Sequence, residues 1–256
     1  MLLIIRSECP ELLTKNKAQW TAPWVAHYRW QSNGSVDQER PKKPTDNHWL
    51  KDEIRLLLIR DFHNNCGYCG ESLPTPQGIL ASKGDVDHFL PKSIKPELVY
   101  EWTNYIWSCK PCNELKNEFY SVNYPLLNPC CAEDCAMLVF IEDTGRYVLQ
   151  NTVANNNSWP ERFKNSEQKT MLNADEVCQN RRLKISMLRN RFTSVAVYLD
   201  MIHPLPAISN SFQEFIDRDI TEILEVVNNT PDFHFLLKEH YQLLRQKYPQ
   251  VAELLG

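Results

Sequence analysis

The 256-residue chain has no apolar run near the roughly 18 residues that a membrane span requires: Met1-Leu2-Leu3-Ile4-Ile5 meets Arg6-Ser7-Glu8 at once. That start also lacks the basic lead and small-residue cleavage site of a secretory signal, so a cytoplasmic chain without a membrane partner is expected. No repeat of 20–50 residues and no low-complexity tract is present, which excludes solenoids and arrays. No GxxxxGK[ST] motif occurs, so any ATP dependence must come from another chain. Positive charge is not in excess either: 28 Lys+Arg stand against 32 Asp+Glu, a net charge of −4. Coating nucleic acid by bulk charge is thereby excluded, though local basic surfaces are not.

What remains, with 43% hydrophobic and 23% charged residues, is a globular composition. Residues 9–29 read as helix interrupted by Pro10 and Pro23, and residues 31–46 as a polar loop. Residues 47–64 carry Trp49, Ile54, Leu57, Leu58 and Phe62 at helical spacing and run straight into Cys66. Short apolar runs at 86–90 and 105–108 predict two strands. The first ends at Pro91; the second leads into Cys109 and a helix that Pro111 opens with no amide hydrogen bond to lose. Residues 137–141 and 146–149 flank Asp143-Thr144-Gly145 as a hairpin. Asn173 with Glu176, Ser211 with Glu214, and Thr230-Pro231 start three further helices, the last ending near Tyr248-Pro249. The predicted class is α+β and mostly helical. A strand–strand–helix core at 61–125 lies between N-terminal helices at 1–60 and a region at 126–256 made of a hairpin and a helical bundle.

Nine cysteines in a reducing compartment point to metal before disulfides. Cys66-Gly-Tyr-Cys69 and Cys109-Lys-Pro-Cys112 form two knuckles that together complete a tetrahedral four-sulfur shell, with no open position and hence a structural Zn²⁺. Between them stands Asp87-His88. Metal-assisted phosphodiester hydrolysis requires such a pair: a histidine to accept the proton of the attacking water, and a carboxylate to hold a divalent ion. Neighbours on a regular strand face opposite ways, so both serve one site only where the strand bends or ends. Asn113, directly after Cys112, adds an amide oxygen as second ligand.

Cys66-x-x-Cys69, Asp87-His88-x-x-Pro91, Asn104, Cys109-x-x-Cys112-Asn113 and Lys116 together resemble the HNH nuclease motif, a ββα-metal fold with an embedded zinc. The resemblance implies His88 as general base, Asp87 and Asn113 as ligands of Mg²⁺ or Mn²⁺, and Asn104 as the residue that ties down the loop and orients His88. Asn113 stands where the family is named for histidine, and Asp87 where glutamate is common; both keep an oxygen ligand, which suits a hard ion. Residues 86–93, Pro96-Glu97-Leu98, Glu101-Trp102-Thr103-Asn104, Leu127-Asn128-Pro129 and Leu172-Asn173 are similar to the PtuB family, the HNH component of Septu-type and retron-associated anti-phage systems, over most of residues 1–205. This implies an endonuclease effector acting with a PtuA-type ATPase and, in some systems, a retron reverse transcriptase with its RNA–DNA product. The helical C-terminal third is then the docking region. DNA is the default substrate, with RNA such as tRNA open. The rival reading is a non-catalytic zinc-stabilised module that binds nucleic acid or protein.

Asp85 reads as a solvent-facing neighbour rather than a third ligand. Cys130, Cys131 and Cys135 read as free thiols, and Cys9 and Cys178 as packing residues. Lys116 is either a solvated helix charge or a phosphate contact. Residues 161–192 hold eight basic against four acidic side chains, among them Arg181 and Arg182. That stretch would either guide phosphates to the site or form an ordinary solvated or partner-docking face.

Overall fold

A computed structural model describes residues 3–30, 39–73, 83–150, 158–202, 209–229 and 232–256. The expected loop at 31–46 lies partly, and the Thr230-Pro231 helix start wholly, outside these residues. Among the described residues no helix is long and apolar enough to cross a membrane. The chain divides into two compact units, Met1–Val139 with Val148–Leu172, and Phe140–Tyr147 with Asn173–Gly256.

In the first unit, α1 spans Glu11–Tyr28, with Pro10 at its N-cap and Pro23 inside it. It buries Leu13 and Trp24. Helix α2, Asp52–Asp61, begins with two carboxylates that suit the positive end of the helix dipole and buries Ile54, Leu58 and Ile59 on one face. The chain leaves α2 through His63 and Asn64, both at positive φ. Asn64 then pins two distant segments: its Nδ2 donates to Leu73 O at 2.6 Å and its Oδ1 accepts from Trp107 Nε1 at 3.3 Å.

Strand β1, Asp85–His88, pairs antiparallel with β2, Tyr105–Ser108, placing Asp87 opposite Ile106 and His88 opposite Tyr105. Every residue of β2 is buried. Helix α3, Lys110–Lys116, follows at once with Pro111 in its first turn, as the sequence predicts. Two further helices, α4 (Ala132–Ala136) and α5 (Ser158–Lys169), are joined by an Arg162–Asp134 ion pair at 2.7 Å. The hairpin of β3 (Leu138–Ile141) and β4 (Arg146–Leu149) turns on Gly145, at φ 69°. A Cβ there would lie 2.0 Å from Cys178 O, so only glycine fits.

The second unit holds α6 (Asp175–Ile202), α7 (Ser209–Asn229), α8 (His234–Lys247) and α9 (Pro249–Leu255). On α6, Cys178, Arg181, Ile185, Leu188, Phe192 and Val195 recur every three or four residues and are buried. The expected bundle is present. Helix α9 is an addition to it, and it starts at the proline that reads as a stop, a residue suited equally to a first helical turn. The basic stretch 161–192 is not one helix. Residues 170–174 break it, and its α5 and α6 portions belong to different units. Arg181 is 1% exposed, donates to Gly145 O and lies over the rings of Tyr147 and Phe233. It is therefore a core residue and not a phosphate contact, whereas Arg182 is exposed. Arg189 pairs with Glu142, and Arg191 with Asp219 and Glu222.

Arg181→Ala is expected to lower the unfolding free energy by about 3 kcal/mol, since it empties a buried site and strands a carbonyl. Arg182→Ala should stay within about 0.5 kcal/mol. Urea titrations of the two variants check the contrast.

Candidate active site and metal centre

The two knuckles meet as the spacing requires. The Sγ atoms of Cys66, Cys69, Cys109 and Cys112 all lie within 4.8 Å of one another, and Cys69 Sγ is 3.9 Å from Cys109 Sγ. Sulfurs at about 2.3 Å around a tetrahedral zinc are ~3.8 Å apart, so the set fits one such ion. Backbone bonds shape the loop: Cys66 N donates to Glu71 O, Gly70 N to Cys66 O, and Gly67 N to Trp107 O, each at 2.8 Å. Gly67 is obligatory here, since a Cβ would meet Phe62 Cε1 at 2.7 Å and Ile106 Cγ2 at 2.8 Å. Burial raises Cys66, but hydrogen bonds with Cys109, Cys112 and Cys69 outweigh it and hold the thiol well below the usual value, while the neighbouring sulfurs and then burial push Cys69 and Cys112 well above it. Among the described residues this is the one place where the ligand atoms of three or more His, Cys, Asp or Glu side chains converge. Cys130, Cys131 and Cys135 are free thiols outside it; burial pushes Cys135 up to about 12.

Asp87, His88, Pro91, Lys92, Asn113, Glu114, Asn117 and Glu118 line a cleft of about 320 Å³. Asp87 and His88 both line it, and β1 ends at His88. His88 is 5% exposed, with its Nε2 2.9 Å from Val99 O. A carbonyl only accepts, so Nε2 carries the hydrogen and Nδ1 keeps the free lone pair. The rings of Trp49 and Tyr105 pack edge-on at 4.8 and 5.2 Å. Burial, then the charge of Lys92, pushes the imidazole down to about 3, so it is neutral near pH 7. Asn104 is buried and accepts from Leu90 N at 2.8 Å while donating to Leu90 O and Leu98 O at 3.1 Å. It thus closes the loop that ends at the carbonyl holding His88.

Asp87 is 5% exposed, and both its carboxylate oxygens accept hydrogen bonds. Tyr68 Oη donates to its Oδ2 at 2.6 Å, and Lys116 Nζ to its Oδ1 at 3.0 Å and to His88 O at 2.8 Å. Lys116, a candidate phosphate contact from the sequence, has a completely buried side chain spent on these two acceptors and cannot touch a backbone phosphate. Asn113 Nδ2 donates to Asp85 Oδ2 at 3.3 Å, so Asp85 holds Asn113 rather than simply facing solvent. A carboxylate offers about four lone-pair sites, of which Tyr68 and Lys116 take two. The remainder, with Asn113 Oδ1 and water in an open cleft, fits a hard divalent ion.

Sequence reading missed three contributors. Tyr68 reads as a knuckle spacer, Trp49 as one more apolar position, and Lys92 as a member of the motif without a job. Lys92 is half-buried, lies over the Trp49 ring at 5.1 Å and is the one cation lining the cleft among the described residues.

No family model matches the chain. One relative does. An 81-residue stretch is 38% identical to the Septu protein PtuB of Bacillus thuringiensis. It covers 32% of this chain and 30% of that protein, so the chain spans about a third of the relative's length. The similarity is narrower than the 1–205 span expected above.

Because His88 is neutral when folded down to about pH 3, while an unfolded imidazole titrates near 6.5, the unfolded state takes up the proton first. Stability is complete above about 6.5 and falls toward pH 3, by up to about 1.4 kcal/mol per pH unit. Urea unfolding at pH 7 and pH 5.5 should show a larger loss for the wild type than for His88→Gln. Equal losses would remove the buried-imidazole argument.

Proposed function

We propose that the protein is an HNH endonuclease that hydrolyses phosphodiester bonds with a divalent ion. The observation that carries this reading is the fixed tautomer of His88 beside Asp87 and Asn113 in one open cleft. His88 accepts a proton from the attacking water at Nδ1, while Nε2–H, anchored to Val99 O, keeps the ring aimed. Asp87 and Asn113 would hold Mg²⁺ or Mn²⁺, whose charge stabilises that developing on the phosphate and leaving oxygen. Lys92 meets a phosphate oxygen in the cleft. A phosphodiester beside it also offsets the pull of that cation on His88, so substrate binding strengthens the base. Cys66, Cys69, Cys109 and Cys112 hold zinc and brace β2 and α3.

Similarity to PtuB over part of its length supports a further step: an effector of a Septu-type anti-phage system, working with a PtuA-type ATPase and in some settings a retron reverse transcriptase with its RNA–DNA product. DNA is the default substrate because the chemistry needs no 2′-hydroxyl, and structured RNA is the alternative.

His88→Ala should reduce cleavage of supercoiled plasmid or of total tRNA at least about 100-fold while zinc content stays intact. Lys92→Ala should lower kcat/KM about 10- to 100-fold, the worth of one charge-assisted phosphate contact. Gel assays with Mg²⁺ or Mn²⁺, with and without any ATPase that co-purifies, decide both. Full activity in His88→Ala would sink the assignment.

A further inference from the structure

We propose that Tyr68 is a positioning residue for the divalent-ion site, linking the four-thiol cluster to the carboxylate of Asp87. The inference rests on reading Asp87 as a ligand of that ion. Tyr68 sits between Cys66 and Cys69, so the position of its ring is set by whatever holds the knuckle. It is 3% exposed, and its hydroxyl donates to Asp87 Oδ2 at 2.6 Å. The loop beneath it has little freedom: Gly67 N is bonded to Trp107 O, and Gly67 lies against Ile106, the cross-strand partner of Asp87. Lys116 Nζ lies 3.0 Å from both carboxylate oxygens, reaching them from α3, the helix that also carries Cys112 and Asn113.

The carboxylate is therefore held from two directions, by a hydroxyl on the first knuckle and an ammonium on the helix of the second. The two grips differ in kind. Lys116 supplies charge, which balances Asp87 but competes with a divalent ion. Tyr68 supplies no charge, so it fixes the orientation of the carboxylate without opposing the ion. Partners of this kind, one bond removed from a metal, typically change metal affinity or activity about 10- to 100-fold when lost.

The test titrates Mn²⁺ into the zinc-loaded full chain and reads free Mn²⁺ by electron paramagnetic resonance, for the wild type, Tyr68→Phe and Asp87→Asn. Zinc content and Tm are measured on the same samples. Tyr68→Phe should weaken Mn²⁺ binding about 10- to 100-fold with zinc retained, and 4-aminophenylalanine at position 68, which restores a donor, should recover most of the loss. The Mn²⁺ concentration for half-maximal cleavage should rise in parallel, with kcat less affected. Binding by Tyr68→Phe equal to or tighter than wild type overturns the inference while leaving Asp87 a ligand. Loss of zinc or of the folded state in Tyr68→Phe, or no recovery with the amine, assigns the hydroxyl to stability and overturns it as well. If Asp87→Asn binds Mn²⁺ like the wild type, or the wild type binds none, the ligand reading fails and the inference falls with it.

Discussion

The constraint on which the first unit depends is one buried carboxylate. Asp87 lies in a strand, 5% exposed, and an unpaired charge there would cost several kcal/mol. Two elements far apart in the chain resolve it. Lys116 comes from the last turn of α3 and Tyr68 from the first knuckle, and neither can reach Asp87 unless β2, α3 and the knuckle are in place. Removing one partner of such a pair typically costs about 3–5 kcal/mol, because the other charge stays buried. The same carboxylate that makes the site chemically interesting thus also selects the arrangement of strand, helix and loop around it.

A second constraint acts on the histidine. The Val99 carbonyl accepts from both His88 Nε2 and Tyr105 Oη, at 2.9 and 2.8 Å, and the loop leading to it is stapled by Asn104. Trp49 covers the imidazole on one side and carries Lys92 on its face. Rigid aromatic walls and a spent Nε2 leave the ring one free nitrogen and one orientation. For the base role proposed above this would be preorganisation: the ring would need no rearrangement when a water arrives.

Much of this is legible in the sequence because it is written in spacing. Two CxxC knuckles, an acid–histidine pair, a proline that stops the strand and one that starts the helix each have a local signature, and the four sulfurs, β1, β2 and α3 appear where that signature puts them. Burial of charge has no such signature. Lys116 and Arg181 read as surface cations because long polar side chains usually are, and only tertiary contacts reveal that one neutralises Asp87 and the other fills a bundle core. Tyr68 is illegible for a related reason: a residue between two metal-binding cysteines looks like a spacer until the strand carrying its acceptor is brought beside it. Helix α9 is hidden by Pro249, whose two meanings, stop and first turn, sequence alone does not separate.

The distribution of charge in the cleft bears on how a nucleic acid would be held. Lys92 stands against Asp87, Glu114 and Glu118 along its walls, and Lys116 is already consumed inside. Within the basic stretch at 161–192, Arg181, Arg189 and Arg191 are taken up in internal contacts. A polyanion approaching such a surface gains little from long-range attraction, which governs both non-specific affinity and association rate. Chemistry at one phosphate, as proposed above, is compatible with this, because the divalent ion and Lys92 would act locally. Grip on a long backbone is not. On the nuclease reading proposed above, substrate affinity would therefore be supplied from elsewhere: a partner would bring the nucleic acid, and the cleft would act on the phosphate delivered to it.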